Sequence, residues 1–176
     1  MTPGHLALAA FMVLVLFAPA RAQNPDSTNT HMSHMAMMSQ APDARQLLDF
    51  PPPMRQHMLS QMRGHLAAIA EILTALSTGD NHKAAEIAET RLSLKSPGAA
   101  ACQPSPDAAA SPMGAMMAAY MPEEMRGLGY AMHEAAGRFA QAAAKAQSPA
   151  DSQALLATLG EVTQRCTACH AAYRLN

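Results

Sequence analysis

Tryptophan is absent from the 176 residues, and other rings are few: three Tyr and four Phe, with two of the Phe in the first 20 positions. What remains is rich in Ala and Met. Such a core reaches native density only if something flat and apolar helps to fill it. Charge of one sign is missing too. Twelve Lys and Arg stand against 13 Asp and Glu, so no polyanion is implied and nucleic acid is not an expected partner. No apolar run is long enough to span a bilayer comfortably: the longest, Leu6–Ala18, has 13 residues, against the ~18–20 a spanning helix needs. Strand-like alternation is also lacking, and the length allows one domain. Cysteine is scarce, with only Cys102, Cys166 and Cys169.

Two of those cysteines carry the strongest signal in the chain. Cys166-Thr167-Ala168-Cys169-His170 is Cys-x-x-Cys-His, the attachment pattern of a c-type haem. The thiols add across the vinyl groups of the ring, and the adjacent His offers a neutral imidazole to the iron. On a helix the three side chains share one face, at separations of three and four. A zinc site would need further ligands of suitable spacing, and a thioredoxin-like redox pair would need a βαβ context. The chain shows neither. One covalent haem c is therefore expected, with His170 as proximal ligand.

In chain order, Met1–Ala22 reads as a secretory leader, cut after Ala20-Arg21-Ala22. Residues 23–50 have no sustained apolar period and read as a flexible, Met/His-rich arm. His31-Met32-Ser33-His34-Met35-Ala36-Met37-Met38 lies within it. This tract reads first as an arm or short helix covering the bundle, and second as a copper site, because thioether and imidazole suit that metal. Residues 51–176 carry four helical patterns. After Pro51-Pro52-Pro53, a seam runs through Leu59, Met62, Leu66, Ile69, Leu73 and Leu76, ending at Gly79 with Asp80 as the next cap. A shorter helix follows over 82–94, and then an Ala/Pro/Ser loop over 99–112 holding Cys102, whose thiol has no assigned partner. Met113, Met116 and Met117 suggest a short helix. The third long helix has the seam Met125, Leu128, Met132, Ala135, Phe139, Ala142, Ala146. The fourth opens at Ser148-Pro149-Ala150-Asp151 and has the seam Leu155, Leu159, Val162, Cys166, Cys169, Tyr173. The expected fold is all-α, an antiparallel four-helix bundle with haem near the C-terminus. Of the histidines His57, His65, His82 and His133, His65 stands out, one turn from Met62.

Cys166-Thr167-Ala168-Cys169-His170-Ala171-Ala172-Tyr173-Arg174 is similar to the terminal signature of the class II c-type cytochromes, the cytochrome c-prime family. Arg55-Gln56 resembles a pair near the start of that family's first helix. The resemblance covers roughly residues 51–176. It implies a periplasmic haem bundle, often a homodimer, with Arg174 near the proximal face and Arg55 near a propionate. The sixth iron position has three candidates. Met62 lies on the seam and Met58 flanks it. Counting from Arg55-Gln56 places Leu59 over the iron, and counting back from Gly79 places Met62 there. The expectation is His170–Met62 coordination and electron transfer to an unidentified redox partner. Five-coordinate iron binding nitric oxide or carbon monoxide is one alternative, and copper handling by the arm another. No catalytic constellation marks an enzyme.

Overall fold

Prolines and glycines set the helix boundaries. In the computed structural model, which describes residues 42–103 and 112–176, Pro52 and Pro53 open helix α1 (Pro52–Ser77), where their missing N–H groups cost nothing. Gly79 ends it at φ 76°, a left-handed conformation that only glycine adopts freely. Asp80 then caps α2 (Asn81–Arg91), its carboxylate accepting from the Lys83 N–H at 2.9 Å. A 3-10 turn, Pro97–Cys102, occupies part of the expected loop. The short Met-rich helix is α3 (Pro112–Tyr120). Helix α4 (Glu123–Lys145) has acids in its first turn and a lysine in its last, complementing its dipole. Helix α5 (Ser152–Ala172) follows a 3-10 turn, Pro149–Asp151. The Asp151 carboxylate accepts from the backbone of Gln147 and Ser148, both at 3.0 Å. Those bonds to Ser148 and Gln147 hold it below the usual carboxylate range. The leader Met1–Ala22, the His31–Met38 tract and residues 104–111 lie outside the described residues.

The four long helices form the all-α bundle. Backbones approach closely between α1 and α2, α2 and α4, and α4 and α5. Small residues permit this: Ala68, Ala84, Ala88 and Ala136 are fully buried, with Phe139, Ile72, Leu92 and Val162 filling the space between them. No helix is long and apolar enough to cross a membrane among the described residues.

Helix α1 corrects the expected seam. Leu59, Leu66 and Leu73 are 40%, 71% and 45% exposed, whereas Met54, Met58, Ala68, Ile72, Ala75 and Leu76 are buried. The large leucines suggest the inner face, but α1 packs on alanine-rich α2 through its own alanines. The inner stripe is therefore rotated toward smaller side chains. The seams of α4 and α5 hold: Met132, Ala135, Phe139, Leu155, Leu159 and Val162 are all buried.

The compact unit begins at Ala44, before the expected boundary at Pro51. Strand β1 (Gln46–Leu48) pairs in parallel with β2 (Tyr173–Leu175), with Leu47 opposite Arg174. Tyr173, expected on the last helix, is thus the first residue of a strand. Leu48 and Phe50 are buried beside Met54, Met58, Met117 and Met121, which form a second, sulfur-rich core.

Replacing Ile72 by Ala should cost about 2–5 kcal/mol, the range for deleting a closely packed aliphatic group. Gly79→Ala should cost about 1 kcal/mol through its left-handed backbone. Urea unfolding monitored by circular dichroism measures both, and an Ile72→Ala loss below that of Gly79→Ala would contradict the packing.

A methionine-lined cavity at the end of the last helix

Helices α1, α4 and α5 all contribute residues to a cavity of about 500 Å³, the size of a site for a cofactor. Its wall is dominated by thioethers: Met58 and Met62 from α1, Met125 and Met132 from α4, Met117 from α3, and Met121 just after it. Helix α5 brings Cys169 and His170 to the same wall, and Tyr173 and Arg174 follow from β2. No Asp or Glu is among the lining residues. Its surface is mostly apolar, although Arg45, Arg174 and the histidines His57, His65, His133 and His170 also line it.

Every residue of the attachment motif is placed by the last two turns of α5. Cys169 and His170 line the cavity, while Cys166, one turn earlier, packs against the main core. Burial raises both thiols above their ordinary range, and the neighbouring Cys166 raises Cys169 further. The strand pair fixes the chain just beyond the motif. Arg45, which precedes β1, donates from Nη1 to the His170 carbonyl at 3.4 Å and also lines the cavity.

The other expected site residues divide. Met62, Met58 and Leu59 all line the cavity, and so does Arg174. Arg55 does not: its Nη1 donates to the Asn176 carbonyl at 2.8 Å, tying α1 to the C-terminal tail. The residues fit a haem. Cys169 and His170 stand in the lining with Cys166 one turn earlier on the same helix, thioethers supply apolar walls, and Arg45 and Arg174 supply cations for its carboxylates.

Three further features escape a reading of the sequence. Cys102, in the 3-10 turn, lines the cavity. It fits because Gly129 has no side chain: a Cβ there would stand 2.5 Å from the Cys102 sulfur. Burial, with a contribution from Cys169, pushes this thiol up to about 11, and the nearby Arg126 opposes the shift. Second, Arg126 has a buried Nε with no hydrogen-bond partner among the described residues. Third, His65 and His133 meet edge to face in the wall, with ring centroids 5.6 Å apart. Only the spacing of His65 from Met62 hinted at this pair.

Burial, then the His133 ring, push His65 down to about 4 from its ordinary 6.5. Burial also lowers His133, against the raising effect of its bond to Leu92. Between those two values the unfolded chain binds a proton that folded His65 refuses. Stability should therefore be complete above pH 6.5 and fall by up to about 3 kcal/mol as the pH drops to 4. His65→Leu should flatten that slope in urea titrations at pH 7, 5.5 and 4.5. Identical slopes in the two proteins would refute the assignment.

The sequence pattern of the family described as Cytochrome C' matches residues 53–174. No curated protein and no solved structure matches the chain. The match runs from the first turn of α1 through the attachment motif to Arg174, across all four long helices and the residues from them that wall the cavity. The chain therefore belongs to the cytochrome c' family, and it is a c-type haem protein.

Proposed function

We propose that the protein is an electron carrier holding one covalent haem, tethered by Cys166 and Cys169 and ligated by His170. Haem, when bound, supplies a one-electron couple. The observation that carries the reading is the shared cavity: the motif's Cys169 and His170 line it together with Met58 and Met62 of α1. A thioether partner for His raises the potential of an electron-transfer haem. The methionine side chains would give the ring apolar walls, and the cationic groups of Arg45 and Arg174 would offset its carboxylates. The leader expected at Met1–Ala22 supports a periplasmic location, where such haems are attached.

The tether is tested by extraction with acidified acetone. The purified protein should keep its haem and carry one haem mass after denaturation, and the double variant Cys166→Ala, Cys169→Ala should carry none. Met62 is the proposed sixth ligand. Spectra should be low-spin in both oxidation states, with a weak sulfur-to-iron band near the red edge that Met62→Ala removes. The second reading, five-coordinate iron that binds nitric oxide or carbon monoxide, is favoured by Leu59, which lines the same wall. A high-spin ferrous protein that binds carbon monoxide without losing a ligand would replace the first reading with the second.

We also propose a homodimer through α1. Leu59, Leu66 and Leu73 repeat every seven residues and form one exposed apolar stripe, as in helices that pair along a seam. Sedimentation should show a dimer that Leu66→Asp converts to a monomer. A monomeric wild type at micromolar concentration would remove the idea.

A further inference from the structure

The segment just before α1 carries an arginine to the end of the last helix, and that contact lies outside the family's pattern, which begins at residue 53. We propose that Arg45 is a positioning residue for the proximal ligand of the haem, fixing the main chain at His170 and placing one positive charge in the lining of the ring's cavity. This role rests on His170 being the ligand, as read above. Its starting point is the end of α5. The Tyr173 N–H closes the last helical turn on the Cys169 carbonyl. Arg174, which a continued helix would bring to the His170 carbonyl, lies instead in β2 opposite Leu47. The His170 carbonyl is thus among the acceptors that a helix end leaves to outside groups.

Arg45 is that outside group. Its Nη1 donates to the His170 carbonyl at 3.4 Å, across 125 residues of sequence. A cation at a helix C-terminus also meets the negative end of the helix dipole. Taken alone, a bond of this length from an exposed arginine is a weak tie. Two further observations give Arg45 a fixed place. Gln46, the next residue, stands opposite Tyr173 in the strand pair. Leu48 and Phe50, just beyond, are buried in the sulfur-rich core with Met58 of α1. The strand pair and these two anchors hold the backbone at Arg45 whether or not a ring is bound. A side chain can orient a metal ligand only from such a supported position.

Charge gives the second part of the role. Arg45 lines the cavity together with His170, and no Asp or Glu lines it. A positive charge near an iron centre favours the reduced state, which carries one positive charge fewer, and so raises the reduction potential. Arg45 is exposed, so solvent and salt damp the effect without removing it. A contact that merely braced the chain end would change stability and leave the potential where it was. Lysine keeps the charge of arginine on a similar stem but lacks its planar fork, so it separates the charge from the rest of the side chain.

The test uses the full mature protein with its haem attached. In potentiometric titration, Arg45→Leu should shift the ratio of oxidised to reduced haem at a fixed potential about 3- to 10-fold toward the oxidised form, a tenfold change being about 59 mV for one electron. Arg45→Lys should bring the ratio back to within about twofold of the wild type, because it restores the charge. In amide exchange, the Tyr173 N–H of Arg45→Leu should exchange about tenfold faster, as the end of α5 frays. Should Arg45→Leu fail to fold, Arg45→Gln takes its place with the same expected shifts. An unmoved potential, a shift that Arg45→Lys does not reverse, or unchanged exchange at Tyr173 would overturn the proposal. His170→Ala separates it from the reading beneath: a wild-type spectrum in that variant would remove the ligand and the proposal together, whereas an unmoved potential in Arg45→Leu removes the proposal alone.

Discussion

An apolar cavity of about 500 Å³ inside a chain without tryptophan is the constraint on which the rest depends. The cavity opens to solvent, so without an occupant water would lie against its thioether walls, which apolar surface disfavours. The bundle is therefore built around its occupant. Close backbone packing runs from α1 to α2, then α4, then α5, through alanines. Helix α1 meets α4 and α5 mainly by lining the cavity with longer, adaptable methionines.

Two short devices keep that cavity in shape. The parallel pair of β1 and β2, with Arg45 on the His170 carbonyl and Arg55 on the Asn176 carbonyl, anchors the chain beyond the attachment motif. The 3-10 turn Pro97–Cys102 closes another part of the wall by setting Cys102 into the notch at Gly129 and Gly98 against Gln61 and His65. Both devices join segments far apart in sequence, so the ends of α5 and α1 are held by contacts that neither helix makes alone.

The fold class and much of the site were legible because their signals are local. Cys-x-x-Cys-His declares its chemistry within five residues, and Gly79, Asp80 and Asp151 act on their immediate neighbours. The inner face of α1 was legible only in part: Leu76 is buried and Met62 and Ile69 pack on the two cores, but Leu59, Leu66 and Leu73 are exposed. Its leucines repeat as regularly as a core seam, and only the alanine-rich surface of α2 shows that Ala68, Ile72 and Ala75 face inward instead. The bond of Arg55 to the Asn176 carbonyl was not legible for a similar reason: the two are 121 residues apart.

The sequence by itself determined the four long helices, their caps and breaks, the attachment motif and the family, since each depends on residue types at short, fixed spacings. Tertiary structure alone decided which methionines wall the cavity, that Cys102 enters it, that β1 pairs with β2, and that His65 meets His133. Those depend on how far helices approach and how they rotate about their axes. That rotation is set by the volumes of the side chains that meet across an interface, and a pattern along one strand of sequence does not contain it.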